Sequence, residues 1–206
     1  MTKATNNLKD FYFKEVVPQL KKDLAIHNNL AVPRLVKAVV NVGLGRAWRE
    51  PKLQEVALKT LERITGQKPV LNKARKSISN FKIRQGMVIG ASVTLRGGRM
   101  YDFLQKLVQV ALPRVRDFRG LSLKALDKQG NLSIGFKEHI VFPEIKSDEI
   151  EMLHGLEVAI VTTAVSREQG QRLFELLGFP LAAPNLDKVR SAPRLSHLNI
   201  KTRSSL

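Results

Sequence analysis

The stretch Val88-Ile89-Gly90-Ala91-Ser92-Val93-Thr94-Leu95-Arg96 alternates apolar and small or polar residues from Ile89 onward. Successive side chains of a strand point to opposite faces, so Ile89, Ala91, Val93 and Leu95 share one face, and Val88, Gly90, Ser92, Thr94 and Arg96 the other. A second stretch, Leu35 to Val42, is rich in β-branched residues and reads the same way before Gly43-Leu44-Gly45 closes it. There Val36, Ala38, Val40 and Val42 are expected in the core, with Lys37 and Asn41 on the opposite side. If the two strands share a sheet, Lys37, Asn41, Ser92, Thr94 and Arg96 form one surface away from the core.

Helical patterns lie around these strands. Leu8, Phe11, Tyr12, Val16, Leu20 and Leu24 recur at spacings of three and four, which predicts an amphipathic helix over 8–24 with Pro18 as its kink. A second helix is expected over 51–64, beginning with Pro51 in its first turn and striped by Leu53, Val56, Ala57, Leu61 and Ile64. A third is expected over 100–112, set off from the strand by Gly97-Gly98 and limited by Pro113. A fourth is expected over 166–177, with Ser166 as N-cap and Gly178 as its stop. Further strands are expected at 131–136 and 156–165, and a short extended piece at Pro69-Val70-Leu71. Strands and helices do not alternate strictly. The pattern predicts an α+β fold, with helices on one side of a largely antiparallel sheet.

Composition narrows the function. The 206 residues include 35 Lys and Arg against 18 Asp and Glu, a formal net charge of +17. At 43% apolar the chain can still close a core. A surplus of this size calls for an anionic partner. Its placement is uneven: Arg63 to Tyr101 holds nine basic residues and no acid, whereas 102–181 is nearly neutral. The excursion Lys73-Ala-Arg75-Lys76-Ser77-Ile-Ser79-Asn80-Phe81-Lys82-Ile-Arg84-Gln85 adds hydroxyl and amide donors and one aromatic to five cations, a mixture suited to a phosphodiester backbone. It reads as a long loop between two strands. The sheet-face residues also suit RNA, since Asn and Thr match a 2′-hydroxyl or a base edge and Lys and Arg match phosphate. On parity alone they are equally the solvated face of a half-covered sheet, and a basic loop can be merely solvated. No aromatic stands on the face, so backbone and groove contacts fit better than base stacking.

Several chemistries are excluded or disfavoured. With no cysteine there is no disulfide, thiolate metal site or cysteine nucleophile. Gly43-Leu44-Gly45 lacks the third glycine of a dinucleotide fingerprint and is expected to be a tight turn. His27, His139, His154 and His197 have no metal-ligand spacing and are expected at the surface or its boundary. Asn131-Leu132-Ser133 matches a glycosylation acceptor by chance. The basic region has too few carboxylates for a two-metal or paired acid-base site, which disfavours the alternative of a basic RNA-modifying or RNA-hydrolysing enzyme. No cofactor or metal is called for. No run is long enough to span a membrane and no N-terminal targeting signal is evident, so a cytoplasmic protein without a membrane role is expected.

The strings Gly66-Gln67-Lys68-Pro69, Lys73-Ala74-Arg75-Lys76-Ser77-Ile78, Phe81-Lys82-Ile83-Arg84-Gln85-Gly86, Val93-Thr94-Leu95-Arg96-Gly97, Leu112-Pro113-Arg114-Val115-Arg116-Asp117-Phe118-Arg119-Gly120-Leu121 and Phe142-Pro143-Glu144-Ile145 occur in this order. Together they resemble large-ribosomal-subunit protein five, the bacterial-type 5S-rRNA-binding family, from about residue 8 to 181. The resemblance implies a concave antiparallel sheet and binding to 5S rRNA in the central protuberance, through Asn41, Gln67, Thr94 and Arg96. It also implies a loop, Lys73 to Gln85, facing the peptidyl-site tRNA, and contact with the small-subunit head across an intersubunit bridge. It makes 1–181 the ribosomal domain and 182–206 a basic C-terminal extension with no inherited role, flexible alone or ordered by large-subunit rRNA. Two departures stand out: Arg46-Ala47-Trp48 replaces an acid after the second glycine, and Leu126-Asp127-Lys128-Gln129-Gly130-Asn131 lacks a Phe-Asp-Gly opening.

Overall fold

The computed structural model describes residues 7–45, 51–145 and 152–182. Five strands form one open, wholly antiparallel sheet: β1 (Leu35–Gly43), β2 (Val70–Lys73), β3 (Val88–Leu95), β4 (Leu132–Phe136) and β5 (Leu156–Thr162), in the order β2-β3-β1-β5-β4. Among the described residues four helices accompany it: α1 over 8–23, α2 (Pro51–Thr65), α3 from Gly97 through Arg114, and α4 (Arg167–Leu176). Their buried side chains share a single cluster with the inner face of the sheet. Tyr12, Val16 and Leu20 of α1, Ala57, Leu61 and Ile64 of α2, Met100, Phe103 and Leu104 of α3, and Leu173 and Phe174 of α4 meet Ala38, Val40, Val93, Leu95, Val158 and Ile160. This is the expected α+β arrangement, with the helices on one side. None of the helices among the described residues is long and apolar enough to cross a membrane.

Strand parity holds for most of β1 and β3 and fails at one end. Ala38, Val40 and Val42 are buried, but Leu35 is buried and Val36 is not. A β-bulge between Leu35 and Lys37 against β5 is the reason. Leu35 faces Thr162 and Lys37 faces Val161, so Val36 is the extra residue and the alternation slips by one. Strand β3 ends at Leu95, leaving Arg96 in extended geometry as the N-cap of α3. The helix takes in Gly97-Gly98, which the sequence reading treats as a spacer. Strand β5 stops at Thr162, short of the expected 165; there the Thr162 hydroxyl donates to the Gly130 carbonyl.

Two helices meet proline by the same device. In α1 the Val17 N–H bonds the Tyr12 carbonyl, five residues back, and Pro18 follows. In α3 the Leu112 N–H bonds the Leu107 carbonyl and Pro113 follows. Proline cannot donate and its ring crowds the carbonyl four residues earlier, so one widened π turn absorbs the misfit without breaking the helix.

The histidines correct the sequence reading. His27 is exposed, but His139 and His154 are 2% and 8% exposed and stack with ring centroids 4.2 Å apart. No metal-ligating cluster is found among the described residues. Asn131 is occupied within the fold: its amide nitrogen donates to Asp127 at 2.8 Å and its oxygen accepts the Thr162 N–H at 2.9 Å. Asp127 also accepts the Gln129 and Asn131 amides, which closes the turn without the Phe-Asp-Gly opening. The string Arg46-Ala47-Trp48, His197 and all but the first residue of the extension 182–206 lie outside the described residues.

Candidate nucleic-acid interface

Four helices cover one face of the sheet, and the other face is bare among the described residues. Its rows follow from the register. Val70, Ser92, Asn41, Glu157 and Gly135 lie side by side across all five strands, from β2 to β4. The next row is Thr94, Val39, Ala159 and Ser133, and beyond it Lys37 stands opposite Val161. The structure therefore brings Asn41 and Ser92 into direct opposition, with Thr94 two residues along the same face and Lys37 farther along β1. Arg96 continues the same parity but sits one residue past β3, exposed, at the mouth of α3. Gln67 is not on the sheet. It follows α2, half-buried, with its backbone N–H and carbonyl both engaged by the Thr65 hydroxyl.

Gly90 organises the polar cluster. A Cβ there would stand 3.2 Å from the Val42 carbonyl oxygen and 3.8 Å from both the Asn41 Oδ1 and the Asn72 Nδ2. Its absence lets two amide heads lean over β3 from the strands on either side. Asn72 Nδ2 donates to the Ser92 hydroxyl at 3.1 Å, which ties Ser92 down. Asn41 and Thr94 have no side-chain hydrogen bond among the described residues, so their donors and acceptors point outward unspent.

The segment between β2 and β3 is a structured hairpin. Ala74 and Met87 pair at its base, with Ala74 N–H to Met87 O at 2.8 Å. Ile78 and Ile83 exchange both backbone bonds, at 2.9 and 3.1 Å, and a 3₁₀ turn, Ser79–Phe81, spans the tip. The Ser77 hydroxyl accepts the Gln85 N–H at 2.9 Å, and Lys82 takes a left-handed conformation with φ of 55°. Lys73, Arg75, Lys76, Ser79, Asn80, Lys82 and Arg84 all point to solvent, as does Phe81 at 69% exposure. None of these cations forms an ion pair among the described residues. Leu44 carries the pairing of β1 with β3 one residue further by donating its N–H to Ile89 O at 2.9 Å. The tight turn expected at 43–45 thus begins as a continuation of the strand.

Two residues of this face escaped the sequence reading. Asn72 lies beyond the short extended piece assigned to 69–71, and only the pairing of β2 with β3 places it beside Ser92. Glu157 alternates correctly with Leu156 and Val158, but nothing local says that β5 is the neighbour of β1. A bare, polar sheet face flanked by a cationic hairpin, with no catalytic grouping among the described residues, is the layout of a nucleic-acid-binding scaffold.

Comparison with known proteins gives that layout its family. Residues 28–84 match the family described as ribosomal protein L5, and residues 88–181 match the C-terminal region of the same ribosomal family. A large ribosomal subunit protein uL5 of Herpetosiphon aurantiacus is 55% identical over 173 residues, covering 84% of this chain and 97% of that protein. Those of Natranaerobius thermophilus and Chloroflexus aggregans are 52% and 53% identical over 175 and 176 residues, each covering 85% of this chain and 98% of the relative. The chain belongs to the ribosomal protein L5 family, whose members are structural RNA-binding proteins and not enzymes.

Proposed function

We propose that this chain is a structural constituent of the large ribosomal subunit that holds 5S rRNA in the central protuberance against its bare sheet face. Lys37, Asn41, Ser92 and Thr94 supply that face, Arg96 extends it and Gln67 borders it. The hairpin cations Lys73, Arg75, Lys76, Lys82 and Arg84, with Ser77, Ser79, Asn80 and Phe81, reach the peptidyl-site tRNA, and another surface meets a small-subunit head protein across an intersubunit bridge. The basic extension 182–206 contacts large-subunit rRNA. The observation that carries the reading is the cluster of Asn41, Asn72 and Ser92 over Gly90, an amide and hydroxyl patch open to solvent beside an acid-free hairpin. The relatives, named as large-subunit proteins, support the setting.

The test is binding to 5S rRNA and to an unrelated RNA duplex across a salt series. Affinity for both is expected to fall steeply with salt, as counterion release requires. Asn41→Ala and Thr94→Ala are expected to weaken 5S binding selectively. Equal loss on both RNAs would reduce the face to non-specific electrostatics.

A further inference from the structure

Glu157 is the only carboxylate on the bare sheet face among the described residues, and it stands on β5 near the start of that strand, directly between Asn41 of β1 and Gly135 of β4. It is exposed and has no hydrogen bond or ion pair among the described residues. Toward β4 and along its own strand its surroundings are low, with Gly135 beside it, Gly155 two residues before it and Ala159 two residues after it, while Asn41 stands on its other side. Lys37 lies four residues away along the strand direction, about 13 Å, too far to neutralise it. Lys137, one residue past β4, does not pair with it.

An ionised carboxylate offers only acceptors and repels phosphate. The RNA backbone must therefore keep away from β5. The cations of the hairpin, together with Arg96, favour a phosphate track along the β2–β3 side, two strand spacings or about 10 Å from Glu157. With phosphates there, the shallow groove of an RNA duplex lies over Glu157. In A-form RNA the readable groove is the wide, shallow one, and the base donor it displays is the exocyclic amine of guanine. The exocyclic amine of cytosine lies in the deep groove that side chains do not enter.

We propose that Glu157 is the specificity-determining acceptor of this face, taking the exocyclic amine of a guanine in RNA whose phosphates run along the β2–β3 side. This rests on the RNA-binding reading above and adds the base and the orientation.

The experiment uses the full chain and 5S rRNA carrying inosine at random guanine positions, partitioned into bound and unbound pools, with wild type, Glu157→Ala and Asn41→Ala run in parallel. Inosine removes only the amine. Wild type is expected to reject inosine at one or a few discrete positions. Glu157→Ala is expected to bind unmodified 5S rRNA about 10- to 100-fold more weakly, the range of one hydrogen bond to a charged group. It should lose that interference and keep the wild-type slope of affinity against salt, since no phosphate contact is removed. Matched melting curves check the fold. The inference is overturned by Glu157→Ala binding 5S rRNA as tightly as or more tightly than wild type, or by interference that persists in the variant. Interference from 2′-deoxy substitution in place of inosine also overturns it, by assigning Glu157 to a ribose. If wild type itself fails to prefer 5S rRNA over an unrelated duplex, the broader reading has failed. If wild type discriminates and Asn41→Ala alone loses, only the role of Glu157 has.

Discussion

Gly130 and Gly170 meet backbone to backbone. A Cβ built on Gly170 would lie 2.4 Å from the Gly130 Cα and 2.5 Å from its carbonyl oxygen, so α4 sits on the turn before β4 with no room for a methyl group. Gly130 also holds a φ of 76°. Alanine at an open helix position would add up to about 1 kcal/mol. At Gly170 it must push α4 away from the turn, and Gly170→Ala is expected to cost about 2 to 3 kcal/mol, as overpacking does. Urea unfolding reads the loss; an unchanged or raised midpoint would mean the turn yields freely.

The stacked histidines predict a pH dependence. Burial lowers the pKa of His139 below the ordinary histidine value of 6.5, against the opposing pull of the His154 backbone and Glu138. Burial lowers that of His154 too, and the neighbouring His139 adds to it. The unfolded chain then binds more protons than the folded one between 6.5 and the folded values. Stability is complete above 6.5 and is lost as pH falls through that window, with a slope of up to about 1.4 kcal/mol per pH unit for each histidine. His154 Nε2 has no partner among the described residues, and its Nδ1 meets only the Gly155 carbonyl at 3.3 Å. His154→Phe is therefore expected to fold and to flatten the dependence between pH 7 and 5.5 in urea titrations.

What could be read along the chain was what is local. The alternation of 88–95 shows in the residues themselves, and Ala91, Val93 and Leu95 are buried as it requires. The charge of 73–84 is likewise a count. What escaped depends on partners distant in sequence. The bulge that takes Val36 out of the core exists only against β5, and the burial of His139 requires His154, fifteen residues on. The hairpin looked like a loop because its cross-strand pairs, Ala74 with Met87 and Ile78 with Ile83, are too few to show a period. Asn72 and Glu157 join the candidate site only through the strand order, which no single segment encodes.

Lys106 joins three elements. Its ammonium group donates to the Ile64 carbonyl at 2.7 Å, at the end of α2, and also to the Glu144 carboxylate. The other oxygen of Glu144 is buried without a partner among the described residues. Lys106→Met would fill the space but strand both acceptors, at a cost of about 1 to 3 kcal/mol. Glu144→Gln in the same background is expected to restore part of it, because a neutral amide is cheaper to leave buried. Thermal melts of both single variants and the double variant measure the coupling, and additive effects would mean that the two side chains act independently.

The hairpin allows charge to be separated from shape at Lys82. This residue holds the left-handed turn after Ser79–Phe81, its N–H closing on the Ser79 carbonyl at 2.9 Å. A left-handed conformation penalises most side chains, but asparagine tolerates it because its short amide can bond locally. Lys82→Asn should keep the turn and remove one cation. Amide exchange at Ile78 and Ile83, which hold the two arms together, is then expected to be as slow as in wild type or slower. If Lys82 contacts a phosphate, the slope of log affinity for RNA against log salt should fall by about 0.7 to 0.9, the contribution of one contact. Lys82→Ala removes the same charge but strains the turn, so it should match Lys82→Asn in salt slope while exchanging faster. A Lys82→Asn variant with native protection and an unchanged slope would show that the tip of the hairpin lies clear of the nucleic-acid backbone.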